Sequence, residues 1–583
     1  MLNIKYDNKK GGDIHNIKSL DEIMRRIKIG ILSSKNTNIR KIKRLFYNPE
    51  TDSLKELLKI EKVLHSKILK KTDFSKAMLM LGATNYYNLI KNSKIPKKME
   101  NEDTLIDLID DISGGLVRWH SPRTMYNLTP SPLLYTIAAL SIFSLYNPNI
   151  VWDIPGGKTA LAEQRVVKEI AEYIGWDWKT AGGVFTFGGK ATTIYGIKVG
   201  LKKCFKESSK IGVKKEVIVI STKACHPSHI QDAEWLGIGA KNVVRLNTHQ
   251  DSTLDLKELE EVMLSAIKND KKIAAIVIAG GTTNNMSVDP INKVVELRDK
   301  LTKEHLLDYV PHIHVDAVVG FPWIFFKDYD FKENSLRLSK NVIKKIFTII
   351  SNLKYLKLGD SFGMDFHKLG FCPYPSSIFM IKAKDQLYVD RDNLVEFGCY
   401  TPFTYTIENS RPGTGAVSAY IALNLLGIEG FQIILAELME SANYLQKKLV
   451  KTKEFEIISK HALGNSTIFV PKLPKKITFS NSKIEEIVRN NYTTAFLVYM
   501  RNFGNPFLLD MTPAYSTGSE VYPYKALKAC IMTPLTTKEI IAEFIDFMIK
   551  TKKTIDLTFD FENKENSEGK TEYIHPLKER PHL

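Results

Sequence analysis

From about residue 151 onward, short β-branched runs alternate with helical stretches, and this alternation constrains the fold more than any other feature of the chain. The runs cover residues 217–220, 243–246, 274–279, 312–315 and 378–381. Each ends within a few residues at Gly, Pro or a polar break, the pattern of strands buried on both faces of a parallel sheet. Helical periodicity fills the intervals at 162–174, 192–203, 256–268 and 291–301. Strands separated by helices predict an α/β core. After residue 430 a helical stretch (431–451), an apolar run (466–469) and a closing helix (537–550) predict a smaller C-terminal domain. Near the start, Leu54, Leu57, Leu58, Val63, Leu64, Ile68 and Leu69 recur at helical spacing and predict a helical arm that packs on a partner. The expected division is a helical segment 1–115, a large domain 116–430, a small domain 431–556 and a charged tail 557–583.

A chain of 583 residues with 44% hydrophobic and 10% aromatic content exceeds what one core sustains and excludes wholesale disorder, collagen and repeat arrays. The five cysteines form no C-x-x-C pair, and Cys225, although followed by His226 and His229, has no second cysteine for a zinc pattern. No metal site is expected, and a reducing compartment is. No apolar run reaches the roughly 18 residues of a membrane span; the best is 134–146. The N-terminal residues have no apolar centre of a secretory signal. A cytoplasmic protein without a membrane partner is expected. The net charge of +17 is concentrated in residues 1–100, with 23 Lys and Arg against 10 Asp and Glu. The excess has neither regular aromatic interleaving nor a Gly-rich RNA motif, so specific nucleic-acid binding is not expected.

Five segments carry chemistry. In L-G-D-S-F-G-M-D-F-H-K (358–368) a lysine ends a largely apolar stretch, where partial desolvation would favour the neutral amine a Schiff base needs. In H-I-H-V-D-A (312–317) an aspartate ends an apolar run, where a parallel strand would aim it into the ligand crevice to hold a heteroaromatic nitrogen protonated; a helix-capping role is the alternative. G-G-V-F-T-F-G-G (182–189) brings small residues to a helix N-terminus, suited to phosphate. It is not a P-loop, because Ala191 follows Lys190, and P-G-G-K-T has Trp152 in place of the first glycine. His226 follows one strand run and could stack on a flat ring; A-G-G-T-T-N-N-M-S-V-D-P (279–290) is a polar turn after another.

In this order the five segments resemble the pyridoxal-phosphate-dependent group II amino-acid decarboxylases, over roughly residues 115–430. An echo, K-A-C-I-M-T-P, lies at 528–534. The stretch H-K-L-G-F-C-P-Y-P (367–375) is most similar to the bacterial tyrosine-decarboxylase branch. The resemblance implies the aspartate-aminotransferase fold (fold type I), with a mainly parallel seven-stranded sheet in a large domain, an N-terminal helical segment and a smaller α+β C-terminal domain. It implies pyridoxal 5'-phosphate as cofactor. Lys368 would form the Schiff base, His226 would stack on the pyridine ring, Asp316 would pair with its nitrogen and Ala317 would lie beneath it. Gly189, Lys190, Ser361 and His367 would surround the phosphate, and Thr283 would lie beside the cofactor. Lys190 and Ala191 depart from the family's usual Ser or Thr followed by Glu.

The implied activity is decarboxylation of an L-amino acid in a homodimer, with the N-terminal segment embracing the partner subunit. The family's mobile loop corresponds to 390–407, where Tyr400 is the first choice of proton donor, with Tyr388 and Tyr405 nearby and Gly398 a possible hinge. Tyr126, Asn127 and Tyr374 are candidates to contact substrate. An aromatic substrate is expected, and Arg123 points to an acidic one as the alternative. Arg411 would hold the cofactor or dimer, or be a salt-bridged arginine. An aminotransferase, a carbon-carbon lyase or a cysteine desulfurase of the same fold remains open, as does a noncatalytic basic polyanion-binding protein.

Overall fold

The computed structural model describes residues 37–79, 90–91, 93–213, 216–387, 400–475, 477–478, 481–500, 505–516 and 523–559. These fall into two compact units, one within residues 1–73 and 79–116, the other made of 74–78 and 117–583. In the first unit, helices Ser53–Lys71 and Glu102–Ile112 bury none of their residues. They are tied by ion pairs from Lys67 to Asp107 and from Lys71 to Asp110. Asn101 caps the second helix by accepting the Thr104 N–H at 2.8 Å.

The second unit is built on two sheets. The larger contains β2 (Gly182–Thr186), β3 (Val217–Thr222), β4 (Val243–Leu246), β5 (Lys272–Ala279), β6 (His312–Asp316), β7 (Ser361–Asp365) and β8 (Ser377–Ile381) in the order β2-β8-β7-β6-β5-β3-β4. Pairing is parallel from β7 through β4. β8 is antiparallel to both β2 and β7, so β2 runs in the same direction as the parallel strands. Two of the seven strands fall outside the five runs picked out by β-branched content. G-G-V-F-T and S-F-G-M-D are fully buried, but their Gly and Asp residues dilute the apolar signal.

The helices of this unit that matter for the site are α1 (Leu134–Tyr146), α2 (Lys158–Ile174), α3 (Gly189–Cys204), α4 (Ser228–Trp235) and α5 (Thr414–Thr452). Helix α3 crosses the sheet unusually closely. A Cβ on Gly196 would come within 2.5 Å of the His314 ring, and one on Gly200 within 2.0 Å of the Ala274 carbonyl. The two glycines, one turn apart, flatten the helix face and hold its N-terminus at the C-terminal edge of the sheet. Helix α5 runs through residue 430 and bends at Gly427, whose φ of 57° is left-handed. By length and composition it could cross a bilayer, which the reading by uninterrupted runs overlooked because Asn424, Glu429 and Gln432 punctuate it. In this fold Ala416, Ala419, Ala422, Phe431, Leu435 and Leu438 of α5 are buried in the main core.

The second sheet has the order β1-β11-β12-β10-β9, from β1 (Thr124–Met125), β9 (Phe455–Ile457), β10 (Ser466–Pro471), β11 (Leu508–Tyr515) and β12 (Tyr524–Cys530). β1 joins it in parallel through Thr124 opposite Leu508, which carries the chain around Asn127 to the edge of the large sheet.

Candidate active site

Five strands of the large sheet end on the same edge, and the chemistry-bearing segments are the turns that leave them. An imidazole follows β3, a Gly-Gly-Thr-Thr turn follows β5, Asp316 ends β6, and His367 and Lys368 follow β7. The N-terminus of α3 follows β2. Together they line a cavity of about 200 Å³ that brings together Gly189, Lys190, His226, Thr283, Asp316, His367, Lys368 and Tyr374. This is the crevice at strand C-termini where open α/β sheets bind ligands.

Lys368 is half-buried, and its Nζ donates to Asp365 Oδ2 at 3.1 Å. Asp365 is 2% exposed and also accepts from Ser377 Oγ at 2.6 Å and pairs with His367 Nε2 at 3.3 Å. Burial alone would raise the Asp365 carboxyl; Lys368 and these partners hold it below the usual range. Asp316 is held from behind by His229, whose Nε2 lies 3.3 Å from Asp316 Oδ2 and whose Nδ1 lies 2.8 Å from Ser221 Oγ. Burial opposes ionisation of Asp316, but the His229 hydrogen bond prevails and keeps its carboxyl well below the usual range. Sequence reading missed His229; its signal is the spacing of three from His226, which places it on the first turn of α4.

The same helix carries Asp232, fully buried, with neither carboxylate oxygen hydrogen-bonded. Burial pushes its pKa up to about 7, against the attraction of Lys190 3.9 Å away. A carboxyl raised in the folded state retains its proton where the unfolded chain has lost it. Its stabilising contribution is therefore present at acid pH and lost as pH climbs from about 4 to about 7. We expect Asp232→Asn to raise stability at pH 8 by roughly 1–3 kcal/mol, since each tenfold change in proton affinity is worth about 1.4 kcal/mol. The gain should fade by pH 4. Urea midpoints that move equally at both pH values would count against this.

Four expected positions are corrected. Ala317 does not line the cavity: side chains alternate along the chain, so with Asp316 facing inward Ala317 turns back against Gly280, and Val318 takes the facing position. Ser361 opens β7, four residues and about 13 Å of strand from the edge, and bonds His312 Nε2 at 2.7 Å and His314 Nδ1 at 2.8 Å. Tyr400 donates its hydroxyl to Glu163, in a buried cluster with Arg411, and does not line the cavity. Tyr126 packs edge-on against Trp119 with ring centroids 6.1 Å apart and does not line the cavity. Asn127 donates to the Thr283 carbonyl at 3.4 Å. Arg123 is paired with Glu543 at 2.6 Å, and Arg411 with Glu163 at 2.6 Å. Tyr388 and Gly398 lie outside the described residues, and Tyr405 is buried.

The donor set fits pyridoxal phosphate. A primary amine and an ionised carboxylate line one cavity, with an imidazole and Val318 also at its walls. The α3 N-terminus offers backbone N–H groups for a phosphate, and Gly189 has no room for a side chain: a Cβ there would lie 2.9 Å from Val318 and 3.0 Å from Asp365 Oδ1. Lys190 is already committed, with Nζ 2.8 Å from Gln231 Oε1 and 4.0 Å above the Trp235 ring.

Comparison with known proteins agrees with this geometry. The family described as pyridoxal-dependent decarboxylase conserved domain matches residues 85–325 and 343–469. An L-tyrosine decarboxylase of Enterococcus faecalis is 26% identical over 265 residues, covering 40% of this chain and 41% of the relative. The human acidic amino acid decarboxylase GADL1 is 24% identical over 260 residues, covering 44% of this chain and 48% of the relative. The chain thus spans less than half the length of each. A crystal structure of Oryza sativa TDC with PLP and tryptamine superposes with a TM-score of 0.71 at 14% identity, covering 87% of this chain and 99% of that one. The fold is therefore the type I fold expected from the five motifs. With the family matched over more than half of its length, the chain belongs to the pyridoxal-dependent decarboxylases.

Proposed function

We propose that the protein releases CO2 from an L-amino acid to give the corresponding amine. One observation carries this reading: Asp316, at the end of β6, and Lys368, on the turn after β7, line a single cavity at the C-terminal edge of the sheet. Bound pyridoxal phosphate supplies an electron sink for the pair released when a bond to Cα breaks. Lys368 is the primary amine that would hold the cofactor through its aldehyde. Asp316, kept ionised by His229, is a fixed anion able to hold a ring N–H in place. His226 and Val318 line the same cavity, with His226 Nδ1 anchored 2.8 Å from Ser228 Oγ. Which bond to Cα breaks is a matter of orientation, set by what grips the substrate beyond the ring.

The relatives include enzymes for both aromatic and acidic amino acids. An aromatic substrate draws support here from Tyr374 alone, which lines the cavity edge-on to His367 with centroids 4.4 Å apart. The active species is a homodimer in this reading. Helix α1 exposes Leu134, Tyr135, Ile142 and Tyr146, and the helices of the first unit bury none of their apolar faces, so each presents surface for a second copy.

The test is CO2 and amine release across a panel of L-amino acids, with protein supplied with pyridoxal phosphate and its mass followed by sedimentation. Equimolar CO2 and amine from a dimer are expected. Oxo-acid formation without CO2 would replace this reading with transamination, and a monomer at full activity would remove the dimer.

A further inference from the structure

Next to the cofactor cavity, and sharing Cys225, His226, Thr282 and Thr283 with it, lies a larger cavity of about 600 Å³ between the two sheets. Its charged lining is lopsided: Lys223, Arg245 and Lys528 stand against Asp510. Lys528, on β12, is 2% exposed, and its Nζ donates to the Thr283 carbonyl at 3.0 Å and to Asn284 Oδ1 at 3.2 Å, both neutral acceptors. Arg245 projects from the edge strand β4 and is half-buried. One guanidinium nitrogen donates to the Cys225 carbonyl at 2.8 Å, while its Nε is buried without a hydrogen-bond partner. Among the described residues neither cation is ion-paired with a carboxylate.

Taking a guanidinium out of water is costly unless an anion and hydrogen bonds compensate it. Burial pushes both Arg245 and Lys528 toward the neutral form; at Lys528 the attraction of Cys530 and Asp510 offsets this only in part, and Lys368 across the shared wall works with burial. Among the described residues Tyr515 is the one aromatic ring besides His226 in the lining, and its hydroxyl donates to Asn285 Oδ1 at 2.9 Å. An aromatic side chain entering here would strip water from the cations and return no charge. A carboxylate would complete them, and the planar guanidinium of Arg245 in the lining offers a fork that grips it.

Resting on the decarboxylase reading above, we infer that this larger cavity receives the substrate side chain and that Arg245 binds an acid group on it, making the substrate an acidic amino acid. The residue that sets specificity is then Arg245 on the large sheet. Arg123, to which the sequence pointed, is neutralised by Glu543.

The experiment compares holoenzyme, prepared with pyridoxal phosphate, as wild type, Arg245→Gln and Arg245→Lys. For wild type, glutamate or aspartate should be turned over in preference to tyrosine, phenylalanine and tryptophan. In Arg245→Gln the ratio of kcat/KM for the acid over that for its amide should fall at least about 30-fold, mostly through KM, as when one partner of a buried charge pair is removed. Arg245→Lys should recover part of the ratio. Calorimetric binding of glutarate, which has no amine to react, should weaken at least about tenfold in Arg245→Gln. Preference for aromatic amino acids, or glutarate bound equally by wild type and Arg245→Gln, would overturn the inference and leave Arg245 serving only the Cys225 carbonyl. Absence of CO2 from every amino acid would instead overturn the decarboxylase reading, and glutarate binding would still decide whether the cavity is an acid site.

Discussion

Replacement of Lys368 by alanine is expected to lower turnover at least about a thousandfold, the scale of loss when a covalent catalyst is deleted. Borohydride should then trap no cofactor at that position. The expectation follows from the inventory of amines at the smaller cavity. Lys190 also lines it, but its Nζ is held by Gln231 and the Trp235 ring, so it is a poor substitute. Lys368 reaches the cavity from the turn after β7 and, among the described residues, has a single ionic partner, Asp365. Its removal should cost little stability, because Asp365 retains Ser377 and His367. Mass spectrometry of the reduced, digested protein locates the modified lysine directly. Cofactor trapped on Lys190, or trapped at all in Lys368→Ala, would refute the assignment of Lys368 and with it the role given to the cavity.

The largest effect on stability should come from Arg411, far from any reacting atom. Its side chain is 2% exposed and that of Glu163 is fully buried. The two form a bidentate pair at 2.6 and 3.0 Å. Arg411 also donates to the carbonyls of Phe185 at 2.7 Å and Ile150 at 3.2 Å, while Glu163 accepts the Phe185 N–H at 2.6 Å and the Tyr400 hydroxyl. Arg411→Met would leave a buried carboxylate without its counter-ion, a change that costs about 3–5 kcal/mol. Adding Glu163→Gln removes the stranded charge and keeps an acceptor for Phe185, so the double variant should regain most of the loss. Denaturant midpoints measure both. A cost below about 1 kcal/mol for Arg411→Met would mean that the pair contributes less than its burial suggests.

The distribution of what was legible follows from how far each interaction reaches along the chain. Asp316, His226 and Lys368 could be picked out because each ends or follows an apolar run, whereas Thr283 was named only through the family resemblance. A parallel sheet delivers the C-terminal ends of its strands to one edge, whatever their separation in sequence. Ala317 was displaced by one residue for a local reason, the alternation of side chains, which a linear match of motifs does not register. Ser361 was misplaced because nothing in S-F-G-M-D announces where a strand begins. Tyr400 was misassigned because its partner Glu163 is 237 residues away. His229 and Arg245 gained significance only through neighbours: one by approaching Asp316 across 87 residues, the other by facing Lys528 from a different sheet.

Thus the order of elements, the family and the set of reactive groups at the sheet edge are properties of the amino-acid sequence, because strand burial and turn chemistry act over a few residues at a time. The tertiary structure alone decided which carboxylate is buttressed, which arginine is spent in an ion pair and which remains uncompensated beside the cavity. Those outcomes depend on desolvation and on charges brought within a few ångströms by packing, and neither quantity exists until distant segments meet.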